Sequence, residues 1–145
     1  MTRLQFVNRQ RHDRVPLAWL ARLARRAAAK LKIHARGQIA VTFIDSPTMR
    51  KLNRKFTGHR GLTDVLCFRY PSLRSGLRVP LVGEILVAPE AARRYADAHG
   101  IPYRQELARY VVHGLLHWLG HEDRTEAEQR RMRSMEDRLL AACAD

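Results

Sequence analysis

The segment His113-Gly-Leu-Leu-His117-Trp-Leu-Gly120-His121-Glu122-Asp123 constrains this chain more than any other stretch. Residues 102–119 read as one long helix ending near Gly120, and residues four apart on a helix lie above one another on the same face. His113 and His117 can therefore aim ring nitrogens at a common point, as zinc ligands roughly 2.0–2.1 Å from a metal. Gly120 can take a left-handed conformation, which ends the helix and turns the chain back. A side chain two or three residues later then approaches the same point from another direction. Two ligands on a helix and one past a glycine turn leave a fourth tetrahedral position open, as catalytic zinc sites do.

The spacing His-x3-His-x2-Gly-x2-X matches the metzincin metal motif, whose third ligand is the tenth residue after the first histidine. That residue is Asp123, and carboxylate oxygen is an accepted zinc donor. His121, one residue past the turn, is the rival third ligand; the motif geometry favours Asp123. One departure alters the chemistry. Metzincins carry a glutamate general base directly after the first histidine, and here that position is Gly114. Peptide hydrolysis by that route has no proton acceptor.

The charge balance points to a class of partner. Lys and Arg total 27 against 14 Asp and Glu, a formal net charge of +13 over 145 residues. Arginine dominates the cations, and guanidinium groups grip phosphates bidentately. Such an excess favours a polyanion, with nucleic acid foremost, over the alternative of a generally arginine-rich proteome. No apolar run approaches the roughly 18 residues of a membrane span, and residues 1–14 hold no signal-like apolar stretch. The expectation is a cytoplasmic protein with no membrane partner. Cys67 and Cys143 form no CxxC framework and read as two free thiols.

No repeat, low-complexity tract or linker divides the chain, so residues 1–145 read as one domain. Residues 3–8 alternate as an edge or half-buried strand. From Pro16 to about Lys32, Leu17, Leu20, Leu23, Ala24, Ala27 and Leu31 recur at helical spacing, with Arg22, Arg25, Arg26 and Lys30 on the outer face. Strands follow at 38–44, 65–70 and 83–87. Ser46-Pro47 reads as a cap and first-turn proline for a short helix to about Lys55. Pro89 to His99 is a helix stopped at Gly100. Thr125 and Glu128 form a capping-box pair that opens a last helix to about Ala142. Residues 57–62 and 71–80 are loops. The irregular β-α-β-α-β-β-α-α-α order predicts an α+β fold with a small mixed four-stranded sheet.

At this point the chain resembles the YbeY-type endoribonucleases, the rRNA maturation factors. The resemblance rests on the histidine segment, on Leu52-Asn53 with Phe56, on Thr63-Asp64-Val65-Leu66-Cys67-Phe68, on Gly83-Glu84-Ile85, and on Glu128, Met132 and Glu136 in the last helix. It implies a zincin-like domain with one zinc ion on His113, His117 and Asp123. The implied activity is metal-dependent cleavage of single-stranded RNA, in maturation of the 16S rRNA 3′ end and in ribosome quality control. Its partners would be small-subunit rRNA and ribosome-associated proteins. The family pattern usually has histidine where this chain has Asp123, and Tyr-Asp in place of His121-Glu122. It also commonly follows its aromatic residue with an arginine, where Phe56 here precedes Thr57. Arg54, His59 and Arg60 lie nearby, none at the matching position, so no side chain is assigned a catalytic role.

Zinc would lower the pKa of a water or polarise the scissile phosphate, with arginines neutralising the developing charge. Water and the RNA 2′-hydroxyl both remain open as nucleophile. Trp118 and Tyr70 are candidates for base stacking, and His59 for facing the metal cleft. Two other functions stand beside the nuclease: a zinc-stabilised rRNA-binding assembly factor that cuts little, and a zinc hydrolase of another substrate.

Overall fold

A computed structural model describes residues 2–57, 64–70 and 80–143. Four strands and five helices occur in these segments: β1 (Arg3–Asn8), α1 (Leu17–Lys30), β2 (Gln38–Phe43), α2 (Ser46–Thr57), β3 (Val65–Arg69), β4 (Leu81–Val87), α3 (Pro89–His99), α4 (Tyr103–Trp118) and α5 (Glu126–Cys143). The expected α+β architecture and element order are the ones observed. The strands form one mixed sheet in the order β1-β2-β4-β3. β1 and β4 run parallel to β2, and β3 runs antiparallel to β4.

Alternation along the strands decides which face meets the long helix. Ile39 pairs with Gly83, Val41 with Ile85 and Phe43 with Val87, so these residues share one face. Ile39, Val41, Phe43, Ile85 and Val87 are all fully buried, and α4 supplies Leu107, Val111 and Leu115 to the same core. Two glycines allow the close approach. A Cβ at Gly114 would lie 2.4 Å from Ile85 Cγ2, and one at Gly83 would lie 2.2 Å from the Trp118 indole nitrogen. The helix is thereby seated on β4 at both ends of its last turn.

Local chemistry sets the ends of the elements. The α4 terminus is a Schellman turn: Gly120 N–H donates to His117 O at 2.9 Å and His121 N–H to Leu116 O at 3.0 Å, with Gly120 at φ 104°. At the start of α5, Glu128 N–H donates to Thr125 Oγ1 at 3.1 Å and Thr125 N–H to Glu128 Oε1 at 3.0 Å, a reciprocal capping box. The starts of two elements differ from the sequence reading, and α2 runs on to Thr57, the first residue of the expected 57–62 loop. α2 is capped by Asp45, whose Oδ1 accepts from Thr48 N–H at 2.9 Å, so Ser46 is already helical and buried. β4 begins at Leu81, because pairing with β2 extends to Gln38 and Leu81 across an irregularity in register.

Arg22, Arg25 and Lys30 line the exposed side of α1 as expected. Arg26 is exposed there too, and it also reaches the Cys143 carbonyl at 3.2 Å, tying α1 to the end of α5. Cys67 and Cys143 are free thiols, the first half-buried and the second buried. Among the described residues no helix is long and apolar enough to cross a membrane.

Candidate metal centre

The helical spacing brings the His113 and His117 rings together at a centroid distance of 4.4 Å. Each side chain is 23% exposed, so neither ring is sealed in the core. The chain returning from the Gly120 turn carries Asp123 across them. Asp123 Oδ2 lies 3.5 Å from His113 Nε2 and 3.4 Å from His117 Nε2. One donor atom from each of the three residues falls within 4.8 Å of the other two. Two ligands at zinc–nitrogen distances on a tetrahedron stand about 3.4 Å apart. The donor set therefore fits a single small cation in both chemistry and spacing. His121 does not join the group: its N–H closes the turn, and its ring is not among the converging donors.

A buried acidic layer backs the histidines. His113 Nδ1 is 2.6 Å from Glu136 Oε2, so with the proton on Nδ1 the ring donates there and leaves the Nε2 lone pair facing Asp123. Glu136 is only 4% exposed. Arg109 compensates that buried charge, with Nη1 donating to Glu136 Oε1 at 3.0 Å and Nη2 to Asp137 Oδ1 at 2.7 Å. A carboxylate behind a ligating imidazole fixes its orientation and raises its basicity. The sequence reading used Glu136 only for its resemblance to the family; its helical position three turns into α5 carried no visible signal of this bond.

The three donors open into a cleft of about 620 Å³, also lined by Asp64, Tyr95, Glu106, Arg109, Tyr110, Met132 and Arg133. Burial pushes the Asp64 carboxyl above its ordinary range, against a hydrogen bond from Tyr110 and the charges of Arg94 and His113. Burial likewise raises Glu106, opposed by Arg109 and Arg133. Burial and the charges of Asp64 and Glu106 push the Tyr110 hydroxyl up, so it stays protonated beside both carboxyls. Asp64 sits directly before β3 and Glu106 on the first turn of α4, so only the fold reveals that they share a floor.

Other expected residues fall elsewhere. Trp118 is 5% exposed, its indole N–H donates to Val82 O at 3.0 Å, and Arg69 covers its ring at 4.7 Å. It is a packing residue and offers no face to a base. Tyr70 is 36% exposed, with its hydroxyl on Glu84 Oε1 at 3.2 Å. Arg54 is exposed on α2, and Phe56, 56% exposed, meets Phe68 edge-on at 5.2 Å. His59 and Arg60 lie outside the described residues, as does the side chain of Thr57. Gly114, where metzincins have their base, faces Ile85 and has no room for a side chain.

Known proteins resemble this chain along most of its length. The family described as endoribonuclease YbeY matches residues 5–144. The chain belongs to the YbeY endoribonuclease family. An endoribonuclease YbeY of a Nocardioides species is 32% identical over 128 residues, covering 85% of this chain and 86% of the relative. That of Renibacterium salmoninarum is 32% identical over 141 residues, covering 94% and 90%. A solution structure of a Thermotoga maritima protein shares the fold, with a TM-score of 0.59 at 20% identity, covering 96% of this chain and 90% of that one.

Proposed function

We propose that this YbeY-family chain is a metal-dependent endoribonuclease of single-stranded RNA, with one zinc ion held by His113, His117 and Asp123. Its substrate is rRNA of the small ribosomal subunit, cut in maturation of the 16S 3′ end and in ribosome quality control in the cytoplasm. The observation that carries the reading is the convergence of His113 Nε2, His117 Nε2 and Asp123 Oδ2 in a YbeY-family chain. The net charge of +13 supports a polyanionic substrate.

A zinc ion bound there supplies Lewis-acid charge beside a phosphate and draws the pKa of water towards neutrality. The protein's own groups do the rest. Glu136 and Arg109 hold the His113 ring in one orientation, so the donor set is formed before any ion arrives. Arg133, at the edge of the cleft, neutralises charge on a phosphate oxygen. Gly114 excludes the carboxylate base of peptide hydrolysis, which argues against a protease.

The test is cleavage of a 16S 3′-end precursor by purified protein. Cutting confined to unpaired RNA, abolished by chelation and by His117→Ala, is the expected result. Products ending in 2′,3′-cyclic phosphate would assign the nucleophile to the RNA 2′-hydroxyl. Tight binding with no cleavage by zinc-loaded protein would replace this reading with that of an rRNA-binding assembly factor.

A further inference from the structure

Beside the metal donors the cleft has a floor that the proposed hydrolysis does not use. Tyr95 lines it from α3. The Tyr95 ring is stacked on His99 with centroids 3.8 Å apart and planes 15° off parallel. His99 Nδ1 in turn lies 2.9 Å from the Tyr95 carbonyl, so the platform is braced from behind. Across the cleft, Glu106 is 3% exposed, and its Oε1 has no hydrogen-bond partner among the described residues. The nearest cation, Arg109 Nε, is 3.8 Å away, beyond hydrogen-bond length. Arg109 Nη1 and Nη2 serve Glu136 and Asp137, while the charges of Arg109 and Arg133 act on Glu106 without a hydrogen bond to Oε1.

A buried acceptor without a donor is costly, and a ligand that brings an N–H removes the cost. We infer that this floor is a nucleobase subsite, in which a base of the RNA stacks on Tyr95 and donates an exocyclic amino hydrogen to Glu106 Oε1. Adenine, cytosine and guanine carry that amino group; uracil offers only its ring N3–H, flanked by two carbonyl oxygens that a carboxyl oxygen repels. The stack fixes a base of any kind, because every base has a π-face, and the carboxyl oxygen selects among them. The backbone phosphate next to the seated base then lies towards Arg133 and the metal donors. This subsite rests on the endoribonuclease reading and adds a sequence preference to it.

The probes are fluorescein-labelled 2′-O-methyl hexanucleotides of adenosine, cytidine or uridine, titrated by anisotropy into zinc-loaded full-length protein. Wild type is expected to bind the adenosine and cytidine oligomers more tightly than the uridine oligomer. Tyr95→Ala should weaken all three by roughly tenfold, the size of one base–aromatic stack, and Tyr95→Phe should restore them. Glu106→Leu, which leaves no acceptor, should erase the preference and leave uridine affinity nearly unchanged. That variant is expected to fold, since Leu is close in volume to the buried side chain and burial already disfavours the charge at this position. Unchanged affinities in Tyr95→Ala, with RNA still bound and cut by wild type, would overturn the subsite and leave the nuclease reading intact. Equal wild-type affinity for all three oligomers, or a preference that survives Glu106→Leu, would overturn the role of Glu106. A wild-type protein that neither binds nor cuts RNA would sink both readings.

Discussion

Asp123 illustrates how much a single residue's role depended on spacing. Its position ten residues after His113 could be read from sequence, and its carboxylate stands against both imidazoles at 3.4–3.5 Å. His113→Ala and His117→Ala should each lose stoichiometric zinc, Asp123→Ala should weaken its binding, and His121→Ala should do so least, as measured by metal analysis of purified variants. Full zinc in Asp123→Ala alongside loss in His121→Ala would reverse the ligand assignment. Glu136 could not be read in this way, because a bond between residues 23 apart has no local signature. Removing an imidazole's carboxylate partner typically costs 10–100-fold in metal affinity, so Glu136→Ala should bind zinc roughly that much more weakly in chelator competition. Unchanged affinity would reduce Glu136 to a packing role. Glu106 gives a pH prediction with a definite sign. Burial raises its folded pKa above the ordinary glutamate value, so past that value the folded state holds more protons than the unfolded state and its contribution to stability is progressively lost as pH rises. Glu106→Gln should therefore be more stable than wild type at pH 7, with the gain shrinking below the ordinary glutamate range. Urea midpoints at neutral and acid pH decide it; a variant less stable at pH 7 would show that contacts with Arg109 and Arg133 outweigh burial.

At the scale of elements, helical periodicity and termination signals carried nearly everything. Gly120 stopped α4 and Thr125 with Glu128 opened α5, both with the backbone bonds their sequence implied. The start of α2 moved because Asp45 outcompeted Ser46 as cap, a choice between two adjacent good cappers that local propensity does not resolve. Trp118 was legible as an aromatic on the metal helix, yet its direction was not: the indole lies over Gly83, a pairing of residues 35 apart. Gly114 carries the seating of α4. A methyl there would meet Ile85 Cγ2 at 2.4 Å, so Gly114→Ala should destabilise the fold by about 1–3 kcal/mol, the usual cost of overpacking. Thermal unfolding with a paired Ile85→Ala, which removes Cγ2, measures this: the double variant should lose less than the sum of the two single losses. A Gly114→Ala protein as stable as wild type would mean that α4 and β4 are not in such close contact.

For the whole molecule, the excess of 27 basic over 14 acidic residues was visible from composition, but its distribution was not. Part of it is structural: Arg26 joins α1 to α5, Arg69 covers Trp118, and Arg109 neutralises the acidic layer under the metal donors. Fewer cations than the net charge suggests are therefore free to meet phosphate. RNA affinity should still fall with salt along a straight logarithmic line, at about −0.7 per phosphate neutralised on a single strand. A slope near zero would remove the charge argument for a nucleic-acid partner. Zinc should also stabilise the entire fold, because it joins the end of α4 to the segment leading into α5, by about 2.7 kcal/mol at one hundred times its dissociation constant. The most direct test of the account is anomalous diffraction at the zinc edge from crystals of metal-loaded protein. The account predicts one peak bonded to His113 Nε2, His117 Nε2 and Asp123 Oδ2; a peak bonded to His121 instead of Asp123, or no peak between the two histidines, would contradict it.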